Sequence, residues 1–487
     1  MSELETESAS PAGLEAELRR FTGSHPAGSR LPTTRELVAR YSASPVTVQR
    51  VIRRLASEGL VETRPGAGNF VARRTAVRHA DFAWQTTALG PARTPPNPVG
   101  ATLQPTPEGS IALHSGYPME DLLPARLVRS ALGRTARGGA AVERVDPAGL
   151  PALRRWFAGE LTRSKADAAP VSAEDVLITP GGQSALASVF RALAGPGDAV
   201  VMESPTYWGA IAAARQAGLR IVPVARGARA PLASDLEEAL ATSGARIFYA
   251  QPHFANPTGT LWNAEDRAAV MDLMRARGTY LVEDDWARDF CIDADPAPLA
   301  ADDPDGHVVY IRSLTKSISP AVRVAALVAR GPARARLQTD RTVDDLYVSG
   351  VLQATAVDVL TSTGWDSHRS RLRTELRTRR DELARQISTH LGADALTLLP
   401  QGGLNLWVQL PDGTDSAALA ARARSAGVLV APGTDWFPTE SAGSFLRLNY
   451  AGAHPHQFGP ALRTIASVFD AGTSPASPSP ASAAAMP

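Results

Sequence analysis

Apolar residues recur every three or four positions along much of the first sixty residues, which is the spacing of one face of a helix. This pattern predicts helices over Gly13–Phe21 and Arg35–Tyr41, and a third helix that ends at Gly59. Leu60–Thr63 and Asn69–Ala72 have the pattern of short strands, and the turn between them is rich in glycine and proline. The segment therefore predicts three helices followed by a two-stranded hairpin.

The pattern changes after a proline-rich stretch, where short apolar runs alternate with segments of helix length. Such alternation is typical of an α/β fold with a doubly wound, mainly parallel sheet. The predicted strands are Ala199–Glu203, Leu219–Val224, Arg246–Gln251, Tyr280–Asp284, His307–Arg312 and Val324–Ala329. From about Leu352 onward, a long arginine-rich helix and short strands at Leu404–Gln409 and Phe445–Leu448 predict a smaller C-terminal α+β lobe.

These patterns divide the chain into five segments. We expect disordered tails at residues 1–11 and 471–487, an N-terminal domain at 12–73, a proline-rich linker at 74–109 and a large domain at 110–470. The first tail carries acidic residues where a secretion signal would carry basic ones, and no apolar run reaches the roughly 18 residues that span a bilayer. We therefore expect a soluble, cytoplasmic protein without a membrane segment.

Composition narrows the classes of function. Hydrophobic residues make up 44% of the 487 positions and charged residues 20%, which excludes a wholly disordered or fibrous chain. Cys291 is the single cysteine, so an intramolecular disulfide is impossible, and without a CxxC pair no metal site is expected. Only Lys165 and Lys316 among the 50 basic residues are lysines, so each of them is worth inspecting.

Positive charge is concentrated in the N-terminal domain. Residues 18–78 hold twelve arginines and three glutamates, a surplus of +9, whereas the whole chain carries only +1. Three helices, a hairpin and this charge together describe a winged helix-turn-helix that binds duplex DNA. A helical domain with a solvated basic face is the alternative.

Four motifs of this domain resemble the signature of GntR-type regulators. In order, they are LPTTREL from Leu31, VTV from Val46, LASEGLV from Leu55 and GAGNFV from Gly66. The family usually has an arginine where this chain has Pro45, so one expected contact is missing and the operator can differ. The resemblance implies that DNA is contacted by Arg35, Thr47, Gln49, Arg50 and Arg53, with Gly66 at the tip of the wing.

Lys316 follows shortly after the predicted strand His307–Arg312. A lysine at the carboxyl end of such a strand points into the crevice where α/β folds bind ligands. Arginine cannot replace a lysine that forms a Schiff base, because guanidinium does not give up its proton. Ser313 and Arg323 in the same stretch suit a phosphate group. Lys165 lies in a polar loop and is expected to be solvated.

Three further motifs accompany Lys316. Gly181-Gly182-Gln183 precedes a predicted helix and so forms an anion cradle, Asn256 follows a strand, and Asp284-Asp285-Trp286 ends another strand. Together they resemble the fold-type-I pyridoxal phosphate enzymes of the aminotransferase class I and II group, over roughly residues 110–470. The resemblance implies pyridoxal 5'-phosphate as the cofactor.

The resemblance also gives each residue a role. Lys316 would hold the cofactor as an internal aldimine, and Asp284 would keep its pyridine nitrogen protonated. Asn256 would bond to the ring hydroxyl, and Tyr207 would stack on the ring. Arg447 would clamp the carboxylate of an amino acid. The phosphate group would be held by Gly181, Gly182, Gln183, Ser313 and Arg323.

Several of these residues also have a plainer interpretation. Asp284 could solvate a strand end, Tyr207 could be a core aromatic residue, and Arg447 could be one of many surface arginines. His253 could line the pocket, although a structural role is favoured. The six arginines of Arg369–Arg380 indicate a charged helical face, with extra contact to DNA as the alternative.

Trp286 departs from the family pattern. A tyrosine usually follows the paired carboxylates, and its phenol contacts the ring hydroxyl of the cofactor. An indole donates a hydrogen bond but cannot exchange a proton. Trp286 is therefore expected at the cofactor, with an aldimine pKa and a turnover that differ from those of an efficient transaminase.

A GntR-like winged helix followed by a linker and an aminotransferase-like domain is the architecture of MocR-type regulators. The resemblance implies a homodimeric transcriptional regulator that binds operator DNA and senses an amino compound through aldimine exchange at Lys316. Two other functions remain open: an active aminotransferase or related lyase that carries a DNA-binding domain, and a sensor of pyridoxal phosphate itself.

Overall fold

The computed structural model describes residues 11–73, 81–89, 103, 105–165, 170–226 and 229–473. The chain divides into two compact units, Met1–Pro91 and Ala92–Pro487. Most of the two predicted tails and much of the predicted linker lie outside the described residues.

The first unit contains the predicted helices and hairpin. Its elements are α1 (Pro11–Ser24), α2 (Thr34–Tyr41), α3 (Pro45–Ser57), β1 (Val61–Arg64), β2 (Gly68–Val71) and α4 (Ala83–Leu89). Thr33 and Glu36 form a capping box at the start of α2, and Ser44 caps α3. Strands β1 and β2 pair antiparallel. The predicted winged helix-turn-helix is thus confirmed, with ends that shift by up to three residues.

One face of each helix supplies the core of this unit. Val48, Val51, Ile52 and Leu55 are the buried residues of α3, at the spacing that predicted the helix. They pack with residues of the other elements, namely Leu14, Leu18, Leu31, Leu37, Tyr41, Val61 and Val71. The opposite face of α3 is therefore left to polar side chains.

Two helices of the structure lie in the predicted linker or across a predicted domain boundary. Helix α4 lies inside the predicted linker, where Asp81 accepts a hydrogen bond of 2.9 Å from the backbone N–H of Ala83. The sequence did not show this helix because Trp84 and Leu89 are exposed, so no buried apolar face produces a periodic pattern. The last helix of the chain ends at Thr473, three residues beyond the predicted end of the large domain.

The second unit alternates strands and helices through its first part. The elements are β3 (Ile111–Ala112), α5 (Ala125–Thr135), α6 (Pro151–Arg163), β4 (Val176–Thr179), α7 (Gly182–Leu193), β5 (Ala199–Ser204), α8 (Trp208–Gln216), β6 (Arg220–Ala225), α9 (Ala233–Ser243), β7 (Ile247–Ala250), α10 (Ala264–Arg277), β8 (Tyr280–Asp284), β9 (Val308–Ser313), β10 (Ala325–Val328), α11 (Gly331–Asp345) and α12 (Gly350–Leu360). Seven of these strands form one sheet in the order β4-β10-β9-β8-β7-β5-β6. Strand β10 runs antiparallel to both neighbours, and the other pairs are parallel. The mainly parallel sheet is confirmed.

Both faces of this sheet are buried. Successive side chains of a strand point to opposite faces. Phe248 and Leu281 accordingly belong to one apolar cluster, whereas Tyr249 and Val282 belong to another. Burial on both faces explains why the strands are continuous apolar runs in the sequence.

The rest of the unit forms the predicted smaller lobe. Its elements are α13 (Thr363–Leu391), β11 (Asn405–Gln409), α14 (Ser416–Ser425), β12 (Val428–Leu429), β13 (Ala431–Pro432), β14 (Phe445–Asn449) and α15 (Pro455–Thr473). Strands β11, β14 and β13 form an antiparallel sheet, and β12 pairs in parallel with β3. None of the helices that the structure describes is long and apolar enough to cross a membrane.

Candidate functional site

A pocket of the second unit lies where the parallel strands of the sheet end. Strands β8 and β9 end at Asp284 and Ser313, and helix α7 begins at Gly182 beside them. All of the predicted cofactor residues except Gly181 line this pocket. Four further residues line the pocket, and no motif of the sequence predicts them: Tyr117, Leu186, Gln251 and Thr315.

The side-chain amine of Lys316 has a lowered pKa in this pocket. Burial lowers the pKa of Lys316 to about 8, and the positive charge of Arg447 acts in the same direction, whereas the carboxylate of Asp284 opposes them. The Nζ atom lies 4.3 Å from the centre of the Trp286 ring. A large fraction of such an amine is neutral near pH 8, which is the form that attacks a carbonyl group.

Asp284 is held by two donors that the sequence analysis did not identify. Tyr249 Oη and Gln251 Nε2 each donate a hydrogen bond of 2.8 Å to Asp284 Oδ2. Burial raises the pKa of Asp284, and these two bonds oppose the rise because they favour the carboxylate. Gln251 also accepts a bond of 2.9 Å from the backbone N–H of Asn256. Its amide therefore positions two of the predicted cofactor residues.

The register of the sheet explains this arrangement. Ala250 pairs with Glu283 across β7 and β8, so Gln251 follows the end of β7 beside Asp284. Tyr249 and Gln251 are two residues apart in the chain and point to the same side. Gln251 ends the apolar run of residues 247–250, and this polar residue is a sequence signal that could indicate the site once the neighbouring strand is known.

The other end of the pocket has the geometry of an anion cradle. Gly181 adopts a φ of +101°, and a Cβ atom there would lie 2.9 Å from Arg323 Nη2. Helix α7 begins at the next residue without a side-chain cap, so its first N–H groups are left for another acceptor. Ser313 Oγ lies 3.1 Å from Thr315 Oγ1. The backbone at Gly181 and the start of α7 thus lie near the hydroxyls of Ser313 and Thr315 and the guanidinium of Arg323. This set of hydrogen-bond donors suits a phosphate group.

The side chain of Gln183 bonds to the neighbouring helix as well as lining the pocket. Its Nε2 donates a hydrogen bond of 2.7 Å to the Gly209 carbonyl, and its Oε1 accepts one of 3.2 Å from Tyr207 Oη. The side-chain amide therefore holds Tyr207 and the start of α8 in place. The backbone of Gln183 remains part of the cradle, whereas its side chain acts on the aromatic residue predicted to stack on the cofactor.

Arg447 is a buried cation on β14. Its Nη2 donates to the carbonyls of His114 and Ser115, and Nη1 lies 3.4 Å from Asn256 Oδ1. Burial lowers the pKa of Arg447 to about 10. No carboxylate of the described residues forms an ion pair with it, and Nε is buried without a hydrogen-bond partner. A buried guanidinium in this state favours binding of an anionic ligand.

Arg447 and Lys316 also line a second cavity that opens beside the first. Asn256, Tyr207 and Arg323 belong to both linings. The second cavity continues past Trp208 along α8. The predicted cofactor residues and Arg447, the predicted carboxylate-binding residue, therefore line two adjoining cavities.

Trp286 occupies the wall of the pocket opposite the lysine amine. The indole is 7% exposed, and its Nε1 is buried without a hydrogen-bond partner among the described residues. The ring packs against Gly403, where a Cβ atom would lie 3.7 Å from the ring. A donor left unpaired in a polar pocket is available to a bound ligand.

The predicted DNA-contacting residues of the first unit lie on α2, α3 and the hairpin turn. Arg35, Gln49, Arg50 and Arg53 are exposed, and Gly66 adopts a φ of +75° in the turn. Thr47 differs, since its hydroxyl lies 2.9 Å from Oγ of Ser44, the residue that caps α3. Within the described residues, no side chain forms a hydrogen bond or ion pair with Arg35, Gln49, Arg50 or Arg53.

Ion pairing separates the arginines of this unit into two sets. Arg19, Arg20, Arg54 and Arg64 pair with glutamates of the same unit. Among the described residues, no carboxylate pairs with the arginines of the second set, which are Arg30, Arg35, Arg40, Arg50, Arg53 and Arg73. The second set supplies the net positive charge that a DNA backbone would meet.

Contacts within the second unit bear on three other interpretations. His253 is buried between Asp285 and Arg267, which gives it a structural role. Lys165 forms a surface ion pair of 2.6 Å with Asp302. Members of the run 369–380 pair mainly with Asp121, Asp289, Asp293 and Asp295 of the same unit, as expected for a charged structural face. No group of histidine, cysteine and carboxylate side chains in the described ranges is placed to hold a metal ion.

Sequence and structure comparisons agree with this geometry. The family described as aminotransferase class I and II matches residues 111–465, and the family described as bacterial regulatory proteins, gntR family, matches residues 14–71. The α-aminoadipate aminotransferase LysN of Thermus thermophilus, solved in complex with N-(5'-phosphopyridoxyl)-L-leucine, superposes with a TM-score of 0.70 at 27% identity. The match covers 77% of this chain and 96% of LysN.

The relatives include a transaminase and a regulatory protein. The 2-aminoadipate transaminase of Thermus thermophilus is 30% identical over 70% of this chain and 86% of its own length. The probable rhizopine catabolism regulatory protein MocR of Rhizobium meliloti is 28% identical over 94% of this chain and 92% of its own length, so it shares both units. The chain therefore belongs to the aminotransferase class I and II family and, with its N-terminal GntR domain, to the MocR-type branch of the GntR regulators.

Proposed function

We propose that this chain regulates transcription by binding operator DNA through its first unit and pyridoxal 5'-phosphate through its second. An amino compound that displaces the Lys316 amine would change the affinity for DNA. The observation that carries this proposal is the placement of Lys316, with a pKa of about 8, in the same pocket as the buried carboxylate of Asp284 and the anion cradle at Gly181.

The pocket fits the cofactor at three points. When bound, pyridoxal phosphate supplies an aldehyde that condenses with primary amines and a ring that accepts electrons. Lys316 presents a readily deprotonated amine, and Asp284 presents a carboxylate that can hold a proton on the ring nitrogen. The cradle of Gly181, the start of α7, Ser313 and Arg323 would bind the phosphate group.

Arg447 supports an effector that carries a carboxylate as well as an amine. Its guanidinium is buried, and no described carboxylate pairs with it. A ligand carboxylate could pair directly with this guanidinium. A bidentate contact would then fix the orientation of the ligand relative to Lys316. We therefore expect amino acids to act more strongly than simple amines.

The first unit supports binding to duplex DNA. Unpaired arginines lie on the same unit as the exposed face of α3, which is the helix that enters the major groove in winged helix-turn-helix proteins. We propose a homodimer in the cytoplasm, because two such helices can bind the two halves of a palindromic site. Exposed Val343 and Leu346 on the second unit are candidates for the subunit contact.

The test is a titration of operator DNA with full-length protein loaded with pyridoxal phosphate. Amino acids and amines are then added singly, and DNA affinity is measured by fluorescence anisotropy. We expect one compound to change the affinity by at least about fivefold, the lower range of allosteric coupling. Lys316→Ala should abolish this response, whereas Lys165→Ala, at the other lysine of the chain, should keep it.

Two outcomes would contradict the proposal. One is DNA binding that is indifferent to every amine, together with multiple-turnover transamination on the order of 1 per second or faster, which would identify an aminotransferase. The other is an amine response that persists in Lys316→Ala, which would place the sensing site elsewhere in the chain.

A further inference from the structure

Val46 stands apart among the apolar residues of the first unit. Its side chain is 63% exposed, whereas the other valine, isoleucine and leucine side chains of α3 are buried. Within residues 13–73, no other large apolar side chain that the structure describes is exposed to this degree. Exposure of one valine is ordinary on a protein surface, so its position in the helix must decide whether it matters.

The position of Val46 is the first turn of α3. Ser44 caps the helix and Pro45 occupies its first position, so Val46 follows at the second. Counting along the helix, Val46, Gln49, Arg50 and Arg53 are spaced i, i+3, i+4 and i+7, which places them on one face. All four are exposed, and the buried residues Val48, Val51, Ile52 and Leu55 occupy the opposite face.

This face has the chemistry of a surface that reads base pairs. Arg50 and Arg53 form no ion pair with a described carboxylate, so their charge is available to DNA. Amide and guanidinium groups such as those of Gln49 and Arg50 match the hydrogen-bonding edges of adenine and guanine. Residues near the start of a recognition helix are those that reach base edges. Val46 is therefore an exposed branched aliphatic group at the reading end of a polar face.

The major groove offers one apolar group to such a side chain. Thymine is the only base that presents a methyl group there, and the other three bases present hydrogen-bonding atoms at their edges. A valine placed against donors or acceptors would strip them of water without replacing the lost hydrogen bonds. Against a thymine methyl group, it would bury apolar surface on both sides.

We propose that Val46 contacts the C5-methyl group of a thymine and so selects a T·A pair in the operator. This inference rests on the proposed binding of operator DNA through α3. The contact would add a preference for thymine to whatever base preferences Gln49, Arg50 and Arg53 supply at other base pairs.

The test uses a duplex selected by the full-length protein from a random library. Each thymine is replaced singly by uracil, which lacks only the methyl group. For the wild type, we expect one position in each half-site where uracil weakens binding about three- to fivefold, the effect of one buried methyl group. Val46→Ala should bind the thymine duplex more weakly and lose sensitivity to uracil at that position.

A second variant separates the methyl contact from a role in folding. Val46→Thr keeps one methyl group on the same β-carbon and should keep the discrimination between thymine and uracil. The proposal is overturned if the wild type tolerates uracil at every position. It is also overturned if Val46→Ala weakens thymine and uracil duplexes equally, since Val46 would then act through protein packing. Absence of any binding to duplex DNA would instead defeat the regulatory function on which the proposal rests.

Discussion

The Nζ atom of Lys316 lies 4.3 Å from the centre of the Trp286 ring. An indole face stabilises the ammonium form of a lysine, whereas burial and the charge of Arg447 disfavour it. Both the ammonium and the neutral amine forms of Lys316 are therefore populated near pH 8. Trp286 occupies the position where the family usually has a tyrosine, and an indole cannot pass a proton to or from a bound ligand.

Trp286→Tyr is expected to increase transamination. A phenol at this position can donate and accept a proton next to the reacting amine, and general acid–base groups typically contribute roughly a hundredfold or more to rate. We expect turnover of an amino acid and a keto acid to rise at least about tenfold over the wild type. Trp286→Phe is the matched control because it keeps an aromatic ring without a hydroxyl group. An equal increase in both variants would assign the effect to ring size.

The reactivity of Lys316 should depend on pH with a midpoint near 8. The neutral amine is the nucleophile, so the rate of labelling by an amine-directed reagent in cofactor-free protein should rise about tenfold per pH unit below the midpoint and level off above it. Mass spectrometry of the Lys316 peptide measures this rate, with the Lys165 peptide as the internal reference.

Removal of the Arg447 charge should move that midpoint upward. Arg447 lowers the pKa of Lys316 by repulsion, so Arg447→Gln should leave a larger fraction of the amine protonated at a given pH. The labelling rate of Lys316 at pH 8 should therefore fall. A midpoint that stays near 8 in this variant would show that the charge of Arg447 does not contribute to the pKa of Lys316.

Tyr249→Phe should weaken binding of pyridoxal phosphate. The variant removes a hydrogen bond from the Asp284 carboxylate, raises its pKa further and so disfavours the charged form that holds a ring proton. We expect a loss of roughly tenfold in cofactor affinity, measured by equilibrium absorbance titration. Tyr310→Phe is the control, since Tyr310 donates a similar bond of 2.9 Å to Asp285, which does not line the pocket. Equal losses in the two variants would mean that general stability, not Asp284, controls affinity.

Arg50→Ala should reduce DNA affinity more than Arg54→Ala does. Both arginines lie on α3, but Arg54 is already paired with Glu15 and Glu58, whereas no described carboxylate pairs with Arg50. We expect Arg50→Ala to weaken binding by about tenfold or more and to lower the slope of log K against log salt by about 1. Similar effects of the two variants would show that ion pairing within the unit does not decide which arginines bind DNA.

The sequence was sufficient for features that depend on local pattern. The bounds of Tyr280–Asp284 can be predicted from the sequence because the apolar residues 280–282 are followed by two carboxylates that mark the strand end. Lys316 was identified because it is one of two lysines and follows a strand. The helix at 83–89 was missed, since its exposed Trp84 and Leu89 give no periodic pattern.

Features that depend on contact between distant segments could not be predicted. The pairing of Tyr249 and Gln251 with Asp284 requires the register of β7 against β8, which no local pattern specifies. Tyr117 enters the pocket from a segment that lies far from Lys316 in the chain. The bonds from the side-chain amide of Gln183 to Tyr207 and Gly209 could not be predicted either, because they form only when α7 and α8 are packed together.

The most direct test of the central claim is the mass of the Lys316 peptide after the full-length protein is incubated with pyridoxal phosphate and reduced with borohydride. We predict that the cofactor is attached to Lys316, that Lys165→Ala takes it up equally and that Lys316→Ala takes up none. Attachment at Lys165, equal uptake by Lys316→Ala or a wild type that takes up none would contradict the account.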